Sequence, residues 1–138
     1  MVLAAVDGSI TSNRAISWAA GLARRQKSRL LCLYVARHSA FASLALATSA
    51  TGIPVDYDTD EVAKEIFEDL RANARRHDME LEFLVRSGDP AREIEKVADE
   101  VHADLVVVGA SLKAGHRLVG SVAVRLVRAA KWPVTVVP

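Results

Sequence analysis

The chain is predicted to be a doubly wound α/β domain, a five-stranded parallel sheet with helices on both faces. Three observations predict it. Short runs rich in Val, Leu and Ala recur along the 138 residues with helical patterns between them. Most of those runs are apolar throughout, as parallel strands buried on both faces require. The composition is globular, with 51% hydrophobic and 25% charged residues. One domain over residues 1–138 is expected, because this length buries a core without staples.

Val2 to Val6 is the first strand. A helix follows from about Ser12, with Ile16, Ala19, Ala20 and Ala23 at helical spacing. Arg24, Arg25 and Lys27 complement the dipole at its C-terminus. Leu30 to Val35 is the second strand, and Ala36 to Asp58, rich in Ala, Ser and Thr, is a long connection. Asp60 to His77 reads as a helix through Val62, Ile66, Leu70 and Ala74. Leu81, Phe83 and Val85 alternate with Glu80 and Glu82, which suits a strand with one face near solvent. Ser87-Gly88-Asp89-Pro90 is a turn into the next helix, with Asp89 at N-cap and Pro90 at N1. That helix carries Ile94, Val97, Ala98 and Val101, and Leu105 to Val108 is a further apolar strand. Gly109 to Val119 is a loop, Ser121 to about Ala130 a short basic helix, and Val134 to Val137 the last strand.

Composition narrows the partners. Net charge is +1, which gives no global reason to expect nucleic acid or an anionic membrane. No apolar run approaches a membrane span, and the short apolar N-terminus runs into Asp7 as a strand would, without a basic leader. The single Cys32 lies in an apolar run and reads as a small buried hydrophobe in a reducing, cytoplasmic setting. Charge is nonetheless uneven. Asp56 to Asp69 is strongly acidic and reads as a solvated face, whereas no acidic residue follows Asp104. Lys113, Arg117, Arg125, Arg128 and Lys131 make the last quarter electropositive. Arg125 and Arg128 share a helix face and read as solvated charge, and Trp18 and Trp132 as packing or interface residues.

In such a sheet ligands gather beyond the C-terminal strand ends, where strand order reverses. Asp7-Gly8-Ser9 follows the first strand directly. The carboxylate of Asp7 either accepts hydrogen bonds from a ribose or base, or organises the turn and caps the helix. Gly109, Gly115 and Gly120 punctuate the loop after the fourth strand, and glycine lets backbone amides approach an anion. Ser121 opens the following helix, whose unpaired N–H groups and dipole also favour one. Lys113, His116 and Arg117 add positive side chains, so phosphate binding is the expectation for this loop. Gly115 to Ser121 has P-loop glycine spacing without its Lys, and no Gly-x-Gly-x-x-Gly follows the first strand. No Cys/His cluster suggests a metal site, and no pattern joins a histidine to a nucleophile, so catalysis is not indicated. At most, His116 or Asp7 would position water for slow hydrolysis.

These residues resemble the universal stress protein family over nearly the whole chain. The resemblance rests on Val6-Asp7-Gly8-Ser9, Gly88, Ala103 to Gly109, Gly120-Ser121-Val122 and Pro133 to Val137. It implies sheet order 3-2-1-4-5 in a Rossmann-like fold, homodimerisation through Val134 to Val137, and binding of ATP or AMP, with Mg²⁺ as the nucleotide's companion. Asp7 would then contact ribose or adenine, the backbone of Val35 the adenine, and Gly109, Gly120, Ser121 and Val122 the phosphates. The family's glycine pattern has its middle glycine where Leu112 stands, and here the loop is two residues shorter. The implied role is a stress-response or signalling accessory domain with an unknown protein partner. The alternative is a dimeric interaction module that binds no nucleotide.

Overall fold

A computed structural model describes residues 1–36, 61–76, 81–111 and 120–138. Five parallel strands carry the fold: β1 (Val2–Val6), β2 (Leu30–Ala36), β3 (Glu82–Ser87), β4 (Leu105–Gly109) and β5 (Val134–Val137). They lie in the order β3-β2-β1-β4-β5, as expected. Among the described residues four helices accompany them: α1 (Ile10–Gln26), α2 (Glu61–Arg76), α3 (Pro90–Glu100) and α4 (Ser121–Ala129).

Strand side chains alternate between faces, and the two faces build two cores. Val2, Ala4 and Val6 of β1 turn toward α1 and α2, where Ala15, Ile16, Ala19, Ile66 and Leu70 meet them. Leu3 turns the other way, to Ile94 and Val97 of α3 and Ala123 and Leu126 of α4. Ala, Val and Leu therefore fill the interior, as the scarcity of aromatics requires. Cys32 is fully buried and unpaired, and burial pushes its thiol up to about 12.

Three local expectations are corrected. Helix α1 begins at Ile10 rather than Ser12, because the Ser9 hydroxyl accepts the Ser12 N–H (3.1 Å) and caps the helix two residues earlier. Ile10 is 66% exposed, so the first turn has no apolar stripe to betray it. On α2 the buried stripe is Ala63, Ile66, Leu70 and Ala74, while Val62 is 48% exposed. A strict four-residue repeat drifts off a 3.6-residue helix, and the step of three from Ala63 to Ile66 corrects the drift. Arg125 is not free surface charge: it pairs with Asp89 (2.7 Å), tying α4 to the start of α3.

Asp89 also accepts the Arg92 N–H (3.0 Å) as N-cap of α3. The Arg125 hydrogen bond first, and that backbone donor second, lower the Asp89 carboxyl to about 2. A carboxyl depressed by folding adds stability that is present above its unfolded value, about 4, and lost as pH falls toward 2. Asp89→Asn keeps a capping oxygen and removes the charge. Its melting temperature is expected to lie below wild type at pH 7 and to converge with it near pH 2, read by circular dichroism. A gap that persists at pH 2 would refute the ion pair as its cause.

Candidate functional site at the C-terminal strand edge

Strand order reverses at β1, whose neighbours β2 and β4 are reached in opposite directions. The chain leaves β1 through Asp7, Gly8 and Ser9, with Gly8 at φ +77°, a left-handed conformation that glycine adopts without strain. Asp7 Oδ1 accepts the Ser9 N–H (3.0 Å), and the Asp7 N–H faces Ser12 Oγ at 3.4 Å. The Ser9 hydroxyl lies 3.1 Å from that of Thr11, and the Ser12 hydroxyl donates to the Ser9 carbonyl (2.9 Å). Burial alone would raise the Asp7 carboxyl, but hydrogen bonds from Ser9 and Ser12 outweigh it and leave the group below the usual carboxylate range. Asp7 is therefore a stable anion at neutral pH. It organises the turn and is exposed at its rim.

Sequence reasoning missed Thr11 and Ser12, both 3% exposed. Three hydroxyls within four residues after a strand was the available signal, since such a cluster can satisfy a helix start internally.

Gly109 ends β4 directly under this turn. A Cβ at Gly109 would stand 2.7 Å from the Ser12 nitrogen and the Thr11 carbonyl carbon, and 2.9 Å from the Thr11 oxygen. The glycine thus lets the first turn of α1 rest on the end of β4. Gly120 is the N-cap of α4 and contributes no side-chain cap. A Cβ there would lie 3.1 Å from Ser111 Cβ, so Ser111 and Gly120 meet at the base of the connection between β4 and α4. Ser121 is exposed at the first helical position, and Val122 packs partly against the second core. No acidic residue occupies the first turn of α4, so no carboxylate of that turn offsets the helix's positive end.

Val35 is half-buried on β2. The register Val6↔Tyr34 places it one step on, level with Asp7. Asp7, Val35, Gly109, Gly120, Ser121 and Val122 thus all belong to the C-terminal ends of strands or the helix start that follows. Gly115, Lys113, Arg117 and His116 lie outside the described residues, as does Leu112. Chemically the arrangement offers an anionic hydrogen-bond acceptor at one end and backbone amides with a hydroxyl at the other. Among the described residues no group of His, Cys, Asp and Glu could hold a metal ion.

The model of the universal stress protein family matches residues 1–138. The chain belongs to the universal stress protein family. Among similar proteins is universal stress protein YxiE of Bacillus subtilis, 31% identical over 144 residues, covering 99% of this chain and 97% of YxiE. Universal stress protein UspA from Lactobacillus plantarum superposes with a TM-score of 0.77 at 25% identity, covering 99% of this chain and 96% of that one. A universal stress protein solved in complex with cAMP superposes with a TM-score of 0.74 at 26% identity, covering 99% and 95%. The Rossmann-like universal stress protein fold is thus common to this chain and its relatives, and a stress-related role follows from family membership.

Proposed function

We propose that this chain binds an adenine nucleotide, ATP or AMP, at the edge formed by Asp7, Val35, Gly109, Gly120 and Ser121, and works as a dimeric stress-response or signalling accessory domain. One observation carries the reading: the seating of α1 on Gly109 draws an anionic acceptor and a positive helix start to a single edge at the strand-order reversal. The similar universal stress protein in complex with cAMP supports an adenine-containing ligand. Asp7 would take the ribose or adenine and the Val35 backbone the adenine. Amides at Gly109, Gly120 and Val122 and the Ser121 hydroxyl would take the phosphates, aided by Gly115, Lys113 and Arg117, with Mg²⁺ arriving only with a polyphosphate.

Dimerisation would run through β5. It is an edge strand of half-buried residues Val134, Thr135, Val136 and Val137, and an open edge invites a two-fold copy. A cytoplasmic setting accords with the unpaired buried Cys32, and no helix among the described residues is long and apolar enough to cross a membrane.

A specific set of contacts favours the second reading, a dimeric interaction module without nucleotide. Turn geometry accounts for Asp7, helix packing for Gly109 and the Ser111 contact for Gly120, none of which needs a ligand. Calorimetric titration with AMP, ADP, ATP and cAMP, with and without Mg²⁺, separates the two. Nucleotide binding predicts a dissociation constant on the order of micromolar, with Asp7→Ala and Ser121→Ala each weakening it about tenfold. Silence for every nucleotide, from protein shown by light scattering to be a folded dimer, would leave the interaction module as the function.

A further inference from the structure

At the opposite end of the sheet, away from the nucleotide edge, lies a cleft of about 1140 Å³ between the C-terminal halves of α1 and α2 and the starts of β2 and β3. That exceeds the range of about 300–1,000 Å³ usual for small-molecule pockets. Arg24 and Lys27 line one wall, and Arg71 and Arg75 the other. Among the described residues none of these four cations has an ion-pair partner. Arg29, also at the rim, is already paired with Glu82.

Each cation by itself has an ordinary explanation, since Arg24 and Arg75 stand near helix C-termini, where positive charge is favourable. Within the described residues their grouping has none. Arg71 and Arg75 are one turn apart on α2, and Arg24 stands in the last turn of α1 with Lys27 at its left-handed C-cap, so like charges adjoin within each wall. The Arg71/Arg75 pair, four residues apart on one helix, costs a few tenths of a kcal/mol when nothing neutralises it. Between the walls the floor is apolar. Phe67 is 37% exposed there, its ring held 5.4 Å from that of Phe83. Ser28 also lines the cleft, and its buried hydroxyl has no hydrogen-bond partner among the described residues.

We propose that this cleft is a docking site for an acidic segment of a partner protein, one carrying carboxylates around an aromatic or aliphatic anchor. The chemistry separates such a segment from a compact phosphate. Phosphate sites draw on helix N-termini and backbone amides, whereas here α1 and α2 present C-terminal ends, whose carbonyls repel an anion. Only long side chains can reach it, and cations spread along two helices suit carboxylates spread along a chain. The apolar floor receives the anchor. The site does not depend on the nucleotide reading.

Fluorescence anisotropy tests it with a labelled peptide of Glu and Asp around a Phe-Glu-Leu core, titrated with the full chain at low and at moderate salt. Saturable binding is expected, weakened at least about tenfold by Arg71→Glu with Arg75→Glu and several-fold by Phe67→Ala. It should be unchanged by Asp7→Ala and should weaken with salt, as a surface electrostatic contact must. Circular dichroism melts verify that the variants fold, and Arg24→Gln with Arg71→Gln gives a milder pair if the reversal does not. No saturable binding, or binding indifferent to both arginine pairs, overturns the proposal. So does full displacement by inorganic tripolyphosphate together with an unchanged affinity in Phe67→Ala, which would reveal a plain anion site.

Discussion

Gly109→Ala is expected to lower folding stability by about 3 kcal/mol, the upper part of the range for overpacking, and the melting temperature by on the order of 10 °C. The reason is steric. The added Cβ would stand 2.7 Å from two backbone atoms of α1 and 2.9 Å from a third. Backbone cannot swing aside as a side chain does, so α1 must lift from β4. Removing the entropic cost of a strand glycine returns only about 0.5–1 kcal/mol, which does not offset the clash. Gly21→Ala is the internal control. Its Cβ would meet only the movable guanidinium of Arg25, at 3.2 Å, so the same chemical change is expected to stabilise α1 by about 0.5–1 kcal/mol. Thermal and urea unfolding of the two variants should therefore move in opposite directions. A neutral Gly109→Ala would show that α1 is not seated on β4 as described. Lifting α1 also displaces the Asp7 turn, so any nucleotide affinity should fall with stability in this variant.

Leu126→Ala is expected to cost about 2–5 kcal/mol, the range for a leucine removed from a packed core. Leu126 is fully buried on α4 within the core that includes Leu3, Ile94 and Val106. It is the largest fully buried side chain of a nine-residue helix, whose other buried residue is Ala123. Little else holds α4 to the sheet from within, so surrounding side chains cannot close the void without shifting the helix. The position of Gly120 and Ser121 depends on that seating. Urea unfolding reads the stability loss, and a cost below about 1 kcal/mol would mean that α4 collapses readily onto the gap.

Much of the architecture is legible in the sequence. Alternation of apolar runs with helical stripes marks the strands and helices among the described residues, since buried parallel strands and amphipathic helices have periods that differ sharply. Asp89 with Pro90 announces the start of α3, because capping is a local matter. What escaped is non-local. Arg125 reads as free charge because its partner Asp89 is 36 residues away. Gly109 reads as an anion-binding glycine, yet its immediate physical reason is the backbone of Thr11 and Ser12, brought against it only by the parallel pairing of β1 with β4. The basic cleft is likewise invisible in the chain order: Arg24 and Arg71 become neighbours only because β2 and β3 stand side by side. At the candidate site, spacing placed Asp7, Gly120 and Ser121 at the C-terminal strand edge, where the structure also has them. It could not decide between turn chemistry and ligand chemistry, because the same carboxylate and the same glycines serve both.

The meeting of Ser111 with Gly120 has a consequence for the length of the segment between them. Their contact makes the ends of the intervening segment, residues 112–119, neighbours in space whatever its length. Closing a loop whose ends already touch costs only logarithmically more as residues are added. A change of length between Ser111 and Gly120 is thus expected to cost the fold little, and urea unfolding of a variant with two residues added there would read that cost.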